Sequence, residues 1–126
     1  MLIRRAEQVE AKPVKMDGAA GVTMRLLVGR EHGAPHFAMR QFTVQTGGHT
    51  PLHRHNFEHE VYVLGGQGTA HCDGADHSVA AGDVLLIPAN AEHQFTAAGP
   101  DALVFLCLVP VEFNCADGSC AATPGS

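Results

Sequence analysis

A chain of 126 residues, 45% hydrophobic and 17% charged, is long enough for one compact domain and too short for two ordinary ones. Thirteen acidic against eight basic side chains give a net charge of −5, and the arginines are scattered rather than gathered into a stripe, so nucleic acid is excluded as an expected partner. The anomaly is nine histidines, more than Lys and Arg combined, because neutral imidazole is the commonest side-chain ligand for transition metals.

From the N-terminus onward, MLIRRAEQVE carries no long apolar run behind its charges and does not read as a secretory signal. Short apolar segments follow. VTMRLLVG (22–29), HFAMRQFTV (36–44), HEVYVLGG (59–66), GTAHCD (68–73), DVLLIP (83–88), HQFTA (93–97) and ALVFLCLV (102–109) are predicted strands, rich in Val, Phe and Leu and several alternating at period two. Turn signals separate them, at Thr46-Gly47-Gly48, Gly65-Gly66, Asp73-Gly74, Ala81-Gly82-Asp83 and Gly99-Pro100-Asp101. No stretch has a 3.6-residue period with caps, so the expected fold class is all-β, a sandwich or barrel. The longest apolar run, Ala102 to Val111, is ten residues with a proline inside, too short for the ~20 that span a bilayer, so no membrane partner is expected.

In the last long strand Leu103, Phe105, Cys107 and Val109 share one parity, and Val104, Leu106 and Leu108 the other. Both faces are apolar and both call for cover: the barrel interior on one side, the N-terminal segment or a second subunit on the other. A homodimer is the expectation. The domain is placed at 1–113. The small, polar tail 114–126 is expected to be flexible, with Cys115 and Cys120 able to pair in air but not required for folding. With no CxxC pair and no export signal, the cysteines are expected to be reduced and the chain cytoplasmic.

The stretch HRHNFEHE, His53 to Glu60, concentrates three histidines and two carboxylates. On a strand His53, His55 and His59 would face one side together with Phe57, Val61 and Val63, and Glu58, Glu60 and Tyr62 the other. A regular strand makes His59 a ligand; a bulge after His55 would hand the role to Glu60.

These residues resemble the cupin superfamily. Gly47 stands six before His53, the HxH is His53 and His55, and six residues separate His59 from Gly66, a count that selects His59. A second motif runs through Gly82, Pro88 and His93, with Asn90 where the pattern has glycine and Ala97 where it has asparagine. Asn tolerates the left-handed conformation, so the turn is expected to survive. The chain is most similar to small single-domain cupins with four histidine ligands, the manganese-binding type. The likeness extends over LIRRAEQV, HFAMRQFTV, both motifs and FLCLVP, and stops after Val111. It implies a double-stranded β-helix, the jelly-roll cupin barrel, with one divalent metal on His53, His55, His59 and His93. Manganese or iron is implied, with nickel, copper or zinc able to replace it on purification.

Four neutral ligands leave the ion its full charge and, if it is octahedral, two adjacent open positions. The all-nitrogen ligand set, the open cis positions and an apolar pocket make the first expectation an oxidative metalloenzyme, dioxygenase-like, on a small organic substrate. The alternatives are a non-redox lyase, isomerase or decarboxylase, or a binding module without turnover. Arg40, if it faces inward, can orient a carboxylate or enolate; otherwise it is a solvent-facing or ion-paired arginine. Phe42, Phe95 and Phe105 are candidate pocket walls or plain core, and Cys107 a buried thiol near the metal. His32, His36, His49, His71 and His77 read as surface residues.

Overall fold

A computed structural model describes residues 1–113; the expectations for the tail, Cys115 and Cys120 among them, lie outside the described residues. Nine strands follow in chain order: β1 (Lys12–Pro13), β2 (Ala20–Val28), β3 (Phe37–His49), β4 (His59–Gly65), β5 (Gln67–Cys72), β6 (Ala75–Ala80), β7 (Val84–Ile87), β8 (His93–Ala98) and β9 (Leu103–Pro110). The helical content is three single 3₁₀ turns, at Ala6–Gln8, Arg30–His32 and Val111–Phe113.

All strands join one sheet in the order β6-β5-β8-β3-β9-β4-β7, with β2 on β3 and β1 on β2. The sheet curls because β3 is long enough to serve two sets of neighbours. Its first eight residues pair with β9, from Phe37↔Pro110 to Val44↔Leu103, while His49 at its far end pairs with Thr96 of β8. The register of β3 against β2 slips between Val44 and His49, at the Gly47-Gly48 signal, and a bulge there bends the strand. The result is the all-β jelly-roll architecture.

Burial follows parity. In β4 His59, Val61 and Val63 are buried while Glu60, Tyr62 and Leu64 are exposed, and in β9 Leu103, Phe105, Cys107 and Val109 form the buried row. Met24, Val44, Val61, Val63 and Leu103 are the largest fully buried side chains, each contributing roughly 1.5–3 kcal/mol by leaving water. Gly66 closes the β4–β5 hairpin at φ +78°, and a Cβ there would sit 2.0 Å from the Ala102 carbonyl oxygen, so only glycine fits.

Two strands were not expected. β1 is a two-residue bridge containing Pro13. β6 follows the Asp73-Gly74 turn, whose positive φ values (48° and 82°) suit a tight hairpin. ADHSVA buries only Val79, so it shows no apolar alternation; backbone pairing to β5 alone makes it a strand. Of the two covers expected for the second apolar face of β9, the N-terminal segment does not supply one. The N-terminal segment is anchored elsewhere, with Arg4 donating to the Leu27 carbonyl at 2.6 Å and Arg25 to that of Val9 at 3.0 Å. On β9, Val104, Leu106 and Leu108 are half-buried, and further along the sheet Tyr62 and Leu64 of β4 and Val84 and Leu86 of β7 remain exposed.

Candidate metal centre

His53 to Glu58 is not a regular strand. β4 begins only at His59, and before it His53 makes an isolated antiparallel bridge with His93, each N–H donating to the other's carbonyl (2.9 and 3.2 Å). The in–out alternation expected of a strand nonetheless persists, with His55, Phe57 and His59 buried and Arg54, Asn56, Glu58 and Glu60 exposed. The bridge brings both motifs together through the backbone. A second tie comes from the Asn90 turn: Asn90 adopts φ +69°, the left-handed conformation expected for it, and its N–H donates to the His55 carbonyl at 2.6 Å.

His53, His55 and His93 each offer a ring nitrogen, and these lie within 4.8 Å of one another, so this trio can hold a metal ion. The His59 ring stands beside them, its centroid 5.2 Å from that of His55 and 4.9 Å from that of His93. His59 is outside the tight trio, but its Nε2 is buried with no hydrogen-bond partner. Glu60, one residue on, is exposed on the other side of the strand.

Three of the rings have an oriented Nδ1. That of His53 faces the Pro51 carbonyl and that of His93 the Ala91 carbonyl, both at 2.9 Å. A carbonyl only accepts, so these Nδ1 atoms carry the proton and leave Nε2 as a lone-pair donor. His59 Nδ1 lies 3.1 Å from the Cys107 sulfur. Locking the distal nitrogen is how proteins orient imidazole ligands. His55 differs: its Nδ1 is buried without a partner, and its ring stacks on Phe57 at 4.7 Å. Buried, unpartnered imidazole nitrogens are costly unless something ligates them, and the donor set fits a divalent transition metal.

All four imidazoles are held neutral. Burial pushes His53 down to about 4, with His93 and Arg40 adding to it and the Pro51 carbonyl opposing. Burial also takes His55 to about 3, reinforced by His53, His93 and Arg40. His59 falls to about 2, by burial and then by the nearby guanidinium of Arg40. His93 is lowered by burial and Arg40, against the raising effects of the Ala91 carbonyl and Asp73. Neutral rings are the form that ligates metal.

Arg40 is therefore part of the site. It lies mid-β3 opposite Cys107 and is only 4% exposed, which settles the orientation that the sequence left open. One guanidinium nitrogen donates to the Cys107 sulfur at 3.3 Å, the guanidinium carbon sits 4.9 Å above the Phe42 ring, and Nε has no partner. Phe105 stacks between Phe42 (5.4 Å) and Phe95 (4.5 Å). These residues and the four histidines line one cavity of about 60 Å³. That is space for roughly four to six waters. No carboxylate lines it among the described residues.

Val14, Met16, Met24 and Thr50 also line the cavity and were not singled out from sequence. Val14 and Met16 sit between β1 and β2, where no periodicity marks an inward residue. None of the remaining five histidines lines the cavity.

The Cupin domain family matches residues 40–109, a span that includes Arg40, all four histidines and Cys107. Among curated proteins, the 1-methylthio-D-xylulose 5-phosphate methylsulfurylase of Rhodospirillum rubrum is 43% identical over 74 residues, 59% of this chain and 47% of that protein. The chain thus spans about half the length of that relative. The oxalate-binding protein of Thermotoga maritima is 32% identical over 114 residues, covering 86% of this chain and 93% of that one. Among solved structures, the polyketide cyclase RemF of Streptomyces resistomycificus superposes with a TM-score of 0.84 at 32% identity, over 88% of this chain and 80% of that one.

Proposed function

The chain belongs to the Cupin domain family, and on that premise we propose that it is a divalent-metal enzyme performing non-redox chemistry on a small, enolisable carbonyl compound. Cyclisation, isomerisation and lyase reactions are the class. The observation that carries the reading is the donor set: four imidazoles held neutral around one small cavity that no described carboxylate enters. His53, His55 and His93 would hold the ion, with His59 as fourth ligand through its unpartnered Nε2. When bound, such an ion supplies Lewis-acid polarisation of a substrate oxygen, with none of its charge cancelled by a ligand.

The chain's own groups do the rest. The Pro51 and Ala91 carbonyls fix two ring tautomers, and Cys107 faces the distal nitrogen of a third. Phe42, Phe95 and Phe105 give an apolar wall that packs the substrate's carbon skeleton and excludes water. The likeness to a polyketide cyclase supports a non-redox reaction on a polycarbonyl skeleton, and the cavity's size supports a small molecule or one end of a larger one.

A second reading is the oxidative enzyme expected from sequence, with manganese or iron activating dioxygen or peroxide. The all-nitrogen donor set in an apolar cavity favours it. One experiment separates the two. The protein is loaded with zinc, manganese or iron and given a panel of small diketones, keto acids and catechols, with products and oxygen uptake followed. Turnover with zinc supports the non-redox enzyme; turnover confined to manganese or iron, with oxygen consumed, supports the oxidative one. A protein that retains no metal at neutral pH defeats both.

A further inference from the structure

Among the described residues, Arg40 is a cation without a counter-charge. It is buried at 4% exposure in the wall of the histidine cavity, and its described partners are a thiol sulfur and the face of a phenyl ring. Among the described residues the ion pairs are Arg54–Glu92 and His71–Asp76, and Arg40 is in neither. Its Nε is buried and unpartnered. The four imidazoles around the same cavity carry no negative charge whether protonated or not and offer it no compensation. A buried guanidinium so placed raises the local potential and prefers a ligand that brings negative charge.

We propose that Arg40 is the anion-recognising residue of this cavity, and that the substrate is an organic anion: a 2-oxo carboxylate, or a compound whose enolate develops beside the guanidinium. This rests on the reading of the cavity as a metal site. An oxygen-bearing head group bridges the two ends of the cavity, the negative oxygen on Arg40 and a neighbouring oxygen at the histidine end. A guanidinium matches a planar carboxylate through its fork of N–H donors, which a point charge cannot do.

Two features hold Arg40 ready. Cys107 Sγ lies 3.3 Å from its terminal nitrogen and 3.1 Å from His59 Nδ1, so one sulfur contacts both the anion-recognising guanidinium and a proposed ligand. The guanidinium carbon sits over the Phe42 ring, which limits its swing. The cavity admits a head of a few atoms, about the size of a carboxylate with its adjacent carbonyl. An apolar body beyond that head would pack on Phe42 and Phe105.

The test uses two probes that differ in charge and little in shape: pyruvate and its neutral counterpart 2,3-butanedione. Both are titrated by calorimetry into zinc-loaded wild-type protein, Arg40→Lys and Arg40→Gln, with zinc content and thermal unfolding recorded for each. The wild type is expected to bind pyruvate at least tenfold tighter than butanedione. Arg40→Gln is expected to lose at least tenfold for pyruvate and to hold butanedione within threefold, with Arg40→Lys in between. Equal affinity for the two probes in the wild type, no measurable pyruvate binding, or pyruvate affinity kept within threefold in folded, zinc-loaded Arg40→Gln overturns the proposal. If the Gln variant does not fold, the charge preference is read on the metal-free wild type, where no ion contributes to it, and equal affinity for the two probes there overturns the proposal. If the wild type retains no zinc, the metal reading fails, and the same charge preference, measured on the metal-free protein, judges Arg40 separately.

Discussion

The two faces of strand β4 are made by alternate residues of one seven-residue segment, yet they share almost no chemistry. The inner face puts His59, Val61 and Val63 at 5%, 2% and 0% exposure against the histidine cavity and the core. The outer face leaves Tyr62 and Leu64 at 47% and 44%, and its Glu60 joins Glu58, Phe37 and Leu108 around a shallow groove. A single step along the chain therefore separates a proposed neutral ligand from a solvated carboxylate. In this fold parity decides what a residue type can do. The same carboxylate moved inward would reduce the charge of a bound ion and meet Arg40.

The comparison is broken most sharply by adding a charge to each face in turn. Val63→Asp places a carboxylate where no water and no described partner meets it, and is expected to cost more than ~4 kcal/mol. Leu64→Asp is expected to stay within ~0.5 kcal/mol. Urea unfolding followed by circular dichroism measures both, and an equal cost for the two would mean that the outer face is covered.

Acid titration of the metal-free protein tests the inner face alone. Its histidines have folded-state pKa values pushed below the ordinary 6.5, His53 to about 4, His55 to about 3 and His59 to about 2. As pH falls, the unfolded chain takes up protons first. The stability these groups permit is complete above pH 6.5, and its loss below that runs to about 4 for His53, to about 3 for His55 and to about 2 for His59, where each protonates in the folded state. Each contributes a slope of up to ~1.4 kcal/mol per pH unit over its window. Urea midpoints at pH 7.5, 6 and 5 read the slope, and His59→Phe is expected to make it shallower. A flat profile is inconsistent with buried neutral imidazoles.

The neighbours His59 and Glu60 sharpen the contrast for metal binding. His59→Ala is expected to weaken metal affinity more than ~100-fold, beyond the ~10–100-fold typical of losing a hydrogen-bond partner of a ligand. Glu60→Gln is expected to stay within about threefold, since the side chain faces solvent. Chelator competition at pH 7.5 compares them; a loaded His59→Ala beside an empty Glu60→Gln would show that the strand turns over when metal enters.

The smallest effect belongs to the sulfur behind His59. Cys107→Val removes the atom facing His59 Nδ1 and is expected to reduce metal affinity about tenfold, with stability changed by less than ~1.5 kcal/mol. Cys107→Ser restores an acceptor and is expected to recover most of the affinity. The same chelator assay measures both, and equal affinity in all three proteins would limit Cys107 to packing.

Much of this arrangement was legible in the residues. The period-two patterns located seven strands, and the alternation through HRHNFEHE correctly faced His55, Phe57 and His59 inward even where no regular strand formed. Gly66 and Asn90 marked turns that require positive φ. These features are local: backbone geometry alone makes alternate side chains oppose each other, whatever lies across the sheet. β6 was not legible, because its only buried side chain is Val79 and its identity as a strand comes from its partner. The Arg40–Cys107–His59 chain was not legible either. Its members are 67 and 48 residues apart in sequence, and they meet because β9 pairs with β3 at Arg40↔Cys107 and with β4 at Val61↔Cys107. Nor does any pattern in 14–16 announce that Val14 and Met16 close the cavity wall. The sequence by itself determined the in–out alternation through HRHNFEHE and β4 and offered the imidazoles there as candidate ligands. Cross-strand register and the bend of β3 decided which inward residues touch, because those depend on pairing between distant segments, and it was there that Arg40 acquired its place beside the histidines.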